Sequence, residues 1–360
     1  MTEREYLISL STFTLFGPKR VRLLVSYFKS ASSVWRATRK DLLNLGIGAS
    51  LVDKFIEHRS RFDFDDYVSG LKRHSIKVLL IDDPKYPENL KLIDDAPIVL
   101  YVRGNLKRSD TRAVAIVGTR LMTAYGREIA KKFAEELTGF GITIISGLAI
   151  GVDVEAQRSA LKAGGRTISV LASGLDTISP ISNKALALEF IKNSGAIVSE
   201  YPLGYQPHPY DFPVRDRLIS GMAKAVVVIE GRMKSGTFYT VKAAADQGRP
   251  VFAIPGPITS PASEGPNYLI QNGAKLVTDV KDILEELNMQ FKVDIEAVEK
   301  IIPTDRSEAK LVEILEVEPM HLDELVRITG GKTSEVSARL IILEMKGLVK
   351  NLGGGIYRKI

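Results

Sequence analysis

Cysteine is absent from the 360-residue sequence, and only four histidines are present. The first absence excludes disulfides, thiolate nucleophiles, cysteine zinc sites and iron–sulfur clusters. His58, His74, His208 and His321 are scattered, without the local spacing of metal ligands, so no metal is expected. No apolar run approaches the roughly 18–20 residues that span a bilayer, and no membrane partner is expected. The opening Met1-Thr-Glu-Arg-Glu-Tyr6 lacks a basic start followed by an apolar stretch. It therefore carries no secretory signature, and a cytoplasmic location is expected. No Ser–His–Asp arrangement is evident.

What is present is ordinary globular material: 45% hydrophobic and 26% charged residues, at a length that suits two or three domains. The formal net charge is +6. Residues 1–60 hold 10 Lys and Arg against 5 Asp and Glu, whereas residues 61–110 balance at 9 against 9. A concentrated basic excess is the footprint of a phosphate-rich partner, although a solvated helical face has the same composition.

The pattern divides the chain. Residues 1–60 predict a module of short helices, of the helix-hairpin-helix or SAM-like kind, with apolar residues at helical spacing in Val21–Phe28. Its turn Leu45-Gly46-Ile47-Gly48 can face backbone N–H groups towards a phosphate, or serve as two helix caps in a bundle. Residues 61–110, with loop signals at Asp82–Pro87 and Asp94–Pro97, are expected to be a connector. From Ala113 onward, short Val- and Ile-rich runs alternate with amphipathic stretches of a dozen or so residues. The runs are Ala113–Val117, Ile142–Ile145, Thr167–Leu171, Ala196–Ser199, Ala225–Ile229, Val251–Ile254 and Lys275–Val277. That alternation is the βαβ signature, and it predicts an α/β fold, a Rossmann-like doubly wound parallel sheet over 111–287. Residues 288–305 are expected to be a linker. Residues 306–360, three helical patterns and a hairpin turning at Gly353-Gly-Gly355, predict a winged-helix domain that suits either DNA or protein.

In a doubly wound sheet, ligands bind beyond the carboxyl ends of the strands. Those positions hold Gly118-Thr119-Arg120, Ser146-Gly147 through Gly151, and Glu230-Gly-Arg232-Met-Lys234-Ser235-Gly236-Thr237. Small residues at Ser235–Thr237 open a helix, leaving N–H groups free for an anion beside Arg232 and Lys234; a plain N-cap is the simpler reading. Arg120 offers a phosphate-shaped fork, and Arg215 and Arg217 flank the same expected crevice. Several cations on successive strand ends suit a polynucleotide backbone. G-x-G-x-x-G is absent, which argues against NAD or FAD, and no cofactor is expected. Thr237-Phe238 stands where a Walker A loop needs Lys-Ser/Thr. Asp153, Glu155, Asp176, Glu200, Asp211, Asp216 and Glu230 offer acid–base or metal chemistry, but are expected mainly to cap helices and pair with arginines.

Taken in order, Gly118-Thr-Arg120, Ile145-Ser-Gly-Leu-Ala-Ile-Gly-Val-Asp153, Gly174-Leu-Asp176, Ser199-Glu200, Phe212–Arg217, Ser235-Gly-Thr237 and Gly248–Gly256 resemble the DNA-processing protein A (DprA/Smf) family. The resemblance covers about 170 residues, with flanking modules to match. It implies a non-enzymatic bacterial mediator that binds incoming single-stranded DNA. It further implies a homodimer that helps load the RecA recombinase during natural transformation. The positions it assigns to DNA are Gly118, Thr119, Arg120, Ser146, Gly147, Lys184, Arg215, Arg217, Lys234, Ser235, Gly236 and Thr237. Three departures stand out. Gln157 replaces a His, Ser179 a Tyr, and Asp216 an Asn, the last adding a carboxylate that opposes phosphate. A nucleotide-phosphoribohydrolase-like enzyme and a duplex-binding regulator acting through the winged helix are the alternatives. The first lacks its glutamate in Lys234-Ser-Gly-Thr-Phe-Tyr239.

Overall fold

Near-continuous apolar runs bury both faces of a strand, and here they assemble one nine-stranded sheet. The computed structural model describes residues 1–193, 195–233, 235–287, 306–345 and 348–360. The expected linker at 288–305 and Lys234 lie outside the described residues. The chain separates into two compact units, Met1–Met289 and Gln290–Ile360.

Within the first unit the strands are β1 (Ile76–Leu80), β2 (Val99–Gly104), β3 (Ala113–Val117), β4 (Thr143–Ser146) and β5 (Thr167–Val170). They continue with β6 (Ala196–Ser199), β7 (Ala225–Val228), β8 (Val251–Ala253) and β9 (Lys275–Leu276). Their order is β1-β2-β6-β5-β4-β3-β7-β8-β9. From β6 to β9 every pairing is parallel, with Val114 opposite Ile144 on one side and Ala225 on the other. The strand order reverses between β3 and β7, which makes that junction the topological switch point.

The segment 61–110 differs from its expected role as a connector. It supplies β1 and β2, which add two antiparallel strands to the β6 edge. The N-terminal helices are likewise part of the sheet's own packing. Phe13, Phe16 and Phe55 pack edge-on and tilted at centroid distances of 4.8–5.3 Å. They share a continuous core with Tyr101 of β2 and Ile197 of β6. Polar groups seal the joint: Tyr67 Oη donates to Tyr101 Oη at 2.8 Å, and Ser11 Oγ lies 3.0 Å from the same oxygen. The glycine turn at 45–48 joins the helices Arg39–Asn44 and Ala49–Arg61, with Gly46 at φ +74°.

The second unit is a winged helix. Helices Arg306–Val317, Leu322–Thr329 and Thr333–Met345 accompany a small sheet of β10 (Met320–His321), β11 (Val349–Gly353) and β12 (Ile356–Lys359), ordered β10-β12-β11. Leu311, Leu315, Leu325, Leu340, Val349 and Tyr357 form its core. The three glycines at the hairpin tip all have positive φ, which only glycine adopts without strain. Among the described residues, no helix is long and apolar enough to cross a membrane.

Candidate nucleic-acid interface

Beyond the switch point lies a cavity of about 580 Å³. Gly118–Leu121 after β3, Asp153, Phe212, Arg215 and Asp216, and Ser235–Thr237 with Tyr239 wall it. The expected convergence of Gly118, Thr119, Arg120 and the 235–237 turn is therefore a geometric fact.

The loop carrying Arg120 is held from both sides. Thr119 N–H donates to Glu230 O at 2.7 Å, and Thr119 O accepts from Val152 N–H at 3.2 Å. Gly151, at φ +96°, brings its Cα against this backbone, where a Cβ would lie 2.3 Å from Thr119 O. The buried Glu230 carboxylate accepts from Thr123 N–H at 2.8 Å and from its hydroxyl at 2.6 Å, while Thr123 Oγ1 caps the helix Ala124–Gly139. Gly126 is small for the same reason: a Cβ would meet Glu230 Oε2 at 2.1 Å. Arg120 itself is exposed and enters no ion pair among the described residues. Its guanidinium lies 5.8 Å from the centre of the Phe212 ring, a cation–π contact that orients it.

Opposite it the helix Thr237–Asp246 begins with Gly236 in the cap position and no side-chain cap. Its first N–H groups and the positive end of its dipole border the cavity, an arrangement that attracts an anion. Tyr239 is 55% exposed on the same wall, an aromatic face open to stacking. Lys184 is exposed at the start of the helix Lys184–Lys192. Its neighbour Asn183 donates to Leu148 O at 2.9 Å, tying that helix to the 147–151 turn.

Ser146, Gly147, Arg215 and Arg217 are engaged within the fold itself. Ser146 is fully buried, and its hydroxyl donates to Ile116 O at 2.7 Å. Gly147 N–H is spent on Asp153 Oδ2 at 3.0 Å. Arg215 is buried, with Nη1 donating to Gly147 O and Val170 O and Nε to Asp216 Oδ1. It is a girder beneath the cavity floor. Arg217 points away altogether, to Asp95 and the half-buried Glu200, and does not reach the crevice. Gln157 is buried and donates to Thr167, Ile168 and Ser169, so the departure from His lies inside the core.

Helical geometry explains the arginines. In the helix Asp211–Met222, Phe212, Arg215, Asp216 and Ile219 recur at i, i+3, i+4 and i+7 and face the cavity together. Arg217 falls on the other side. That spacing is present in the sequence and points to Phe212, whereas Tyr239 lies on the helix Thr237–Asp246 and is not reached by it.

The carboxylates behave as expected of structural groups. Asp211 accepts from Tyr201, Tyr205 and the His208 N–H, Asp176 from Gly204 N–H, and Glu155 pairs with Arg127 and Arg158. Burial pushes Asp153 up to about 6 against the opposing pull of Arg215, with Asp216 adding repulsion. Burial also raises Asp216, again opposed by Arg215. Among the described residues no cluster of three His, Asp or Glu has the arrangement to hold a metal.

Comparison with known proteins places the chain in a family. The signature of DNA recombination-mediator protein A matches residues 77–288, and that of the DprA winged helix domain matches 296–355. Protein Smf of Synechocystis is 32% identical over 395 residues, covering 99% of each chain. Among solved structures, DNA processing protein A of Streptococcus pneumoniae superposes with a TM-score of 0.68 and 32% identity, over 81% of this chain and 99% of that one. DNA processing protein A of Helicobacter pylori, a structure described for its single-stranded DNA binding mode, gives 0.54 and 30%, over 60% and 97%.

Proposed function

Starting from the fact that the chain belongs to the DprA/Smf family of DNA recombination mediators, we propose that it binds single-stranded DNA along the switch-point crevice. The observation that carries this is the meeting of exposed Arg120, the uncapped helix start at 236–237 and the open face of Tyr239 in one cavity. Phosphate oxygens meet the guanidinium and the free N–H groups, while a base stacks on the aromatic ring. Lys184 extends the path. The chain acts without catalysis, because the carboxylates at the crevice are committed to caps and pairs. In line with the family resemblance, it works as a homodimer and helps load RecA during DNA uptake and recombination.

The regulator alternative has a weaker basis. The helix Thr333–Met345 carries Glu335, Arg339 and Glu344 and exposes Ile341 and Ile342, without the cationic excess that a DNA groove demands.

A competition titration of an oligothymidylate against duplex at two salt concentrations tests the proposal. Three phosphate contacts give a log–log slope of about −2, a loss of roughly 20-fold in affinity between about 50 and about 200 mM salt. Preference for duplex, or indifference to salt, overturns it.

The cavity floor adds a pH dependence. Above pH 6 Asp153 is ionised and, with Asp216, offsets the pull of Arg120 on phosphate. As pH falls through 6 Asp153 takes up its proton and single-strand affinity rises. The same sign governs stability. The native state holds the Asp153 proton more tightly than the unfolded chain, so the cost of its charge is present in full above about pH 6 and is relieved as pH falls towards 4. Asp216→Asn should bind more tightly at pH 8 and show a flatter profile in anisotropy titrations.

A further inference from the structure

The sheet has a second rim, where the parallel strands begin, a full strand length from the crevice. The strand-entry residues there are basic in turn: Arg112 before β3, Arg166 before β5, Lys224 before β7 and Arg249 just ahead of β8. Part of that charge serves the fold. Arg112 donates to Phe140 O at 3.5 Å, Arg249 to Asn89 O at 2.9 Å, and Arg166 pairs with Asp110 at 2.7 Å. Lys85, Lys107, Arg108 and Lys224 remain, all exposed and in no ion pair among the described residues.

Two cavities open along this rim. One of about 470 Å³ is walled by Lys85, Tyr86, Lys107 and Arg108. The other, about 410 Å³, is walled by Lys107, Ser109, Thr138, Arg166 and Asn193. Lys107 belongs to both, so they run in series. Thr138 Oγ1 and Arg166 Nη1, from the walls of the second cavity, are buried without a hydrogen-bond partner. Arg249 Nε, whose guanidinium holds Asn89 in the wall of the first, is in the same position. These enclosed donors are out of a ligand's reach as they stand, whereas the exposed Lys85, Lys107 and Arg108 present the cations to which phosphate oxygens are drawn. The acidic groups of these walls do not cancel the charge: Asp110 is neutralised by Arg166, which leaves Glu88.

We propose that this strand-entry rim is a second phosphate-backbone site, which holds another stretch of single-stranded nucleic acid at the end of the sheet opposite the crevice. Two cavities in series, joined by a shared lysine, fit a polymer of phosphates better than one free nucleotide. The proposal goes beyond the crevice reading and does not depend on it.

The test is a stoichiometric titration of the full chain with an oligothymidylate of about six nucleotides at low salt, a length within the span of one such site. The parent chain is expected to bind two equivalents per chain. The double variant Lys107→Glu with Arg108→Glu should bind one, and the salt slope should shrink by about 1.4 for two lost contacts. A second pair, Lys85→Glu with Lys224→Glu, should show the same loss, and unchanged melting confirms the fold in each. Unchanged stoichiometry and affinity in both double variants, or full displacement of the equivalent they remove by matched inorganic phosphate, overturns the proposal. Loss in these variants with none in Arg120→Glu would sustain the rim and sink the crevice, so the two readings fail separately.

Discussion

Arg120→Glu is expected to weaken single-stranded DNA binding by about 10- to 100-fold while leaving the melting temperature of the chain unchanged. A charge-assisted hydrogen bond is worth roughly 1.5–3 kcal/mol, and reversal adds repulsion to its loss. The side chain is exposed and enters no ion pair among the described residues, so the folded state does not depend on it. Surface changes of this kind stay within about 0.5 kcal/mol of the parent stability. Anisotropy of a labelled oligothymidylate reads the affinity, and a thermal melt reads the fold. Unchanged affinity would remove Arg120 from the interface. Phe212→Leu is informative beside it, because it keeps the charge and removes only the ring that orients the guanidinium.

Arg215→Ala should do the reverse, with its main effect on stability. Arg215 is 5% exposed and bridges Gly147 O, Val170 O and Asp216 beneath the cavity, with Asp153 alongside. Removing it strands the buried Asp153 and the half-buried Asp216 without their cation, a loss of about 3–5 kcal/mol for a broken buried pair. Denaturant midpoints measure this directly. The companion change Asp153→Asn with Arg215→Met, which removes charge of both signs, should recover part of the loss. An Arg215→Ala chain as stable as the parent, yet deficient in DNA binding, would restore Arg215 to the interface and overturn the girder role.

These two arginines mark what was legible in the sequence and what was not. The seven parallel strands were visible because each is a short Val- and Ile-rich run set off by loops. The residues following the strands were likewise identifiable as the ligand edge, and Arg120 with the 235–237 turn do meet there. The first two strands were hidden. Both carry apolar runs, Val78–Ile81 and Ile98–Val102, but they pair antiparallel across the turn-rich segment 81–98 and so stand outside the βαβ rhythm that announces the others. Arg215 and Arg217 were grouped by adjacency, which is the wrong metric on a helix: two residues apart is about 200° around the axis, so one faces the cavity and the other Glu200. Ser146 and Gly147 were misplaced for a different reason. They follow a central strand so closely that the neighbouring backbone claims their polar groups.

The way Arg120 is mounted limits how this grip could be moved or altered. Its loop is clasped by Glu230 from the end of β7 and by Gly151 from the turn after β4, while Gly126 makes room for the clasp. None of these three needs to touch a ligand, yet each fixes the position of the residue that does. A tripeptide Gly118–Arg120 grafted onto another scaffold would therefore arrive without its aim. The smallest transferable unit spans three neighbouring strand ends, and drift at any one of them is felt at the fingertip.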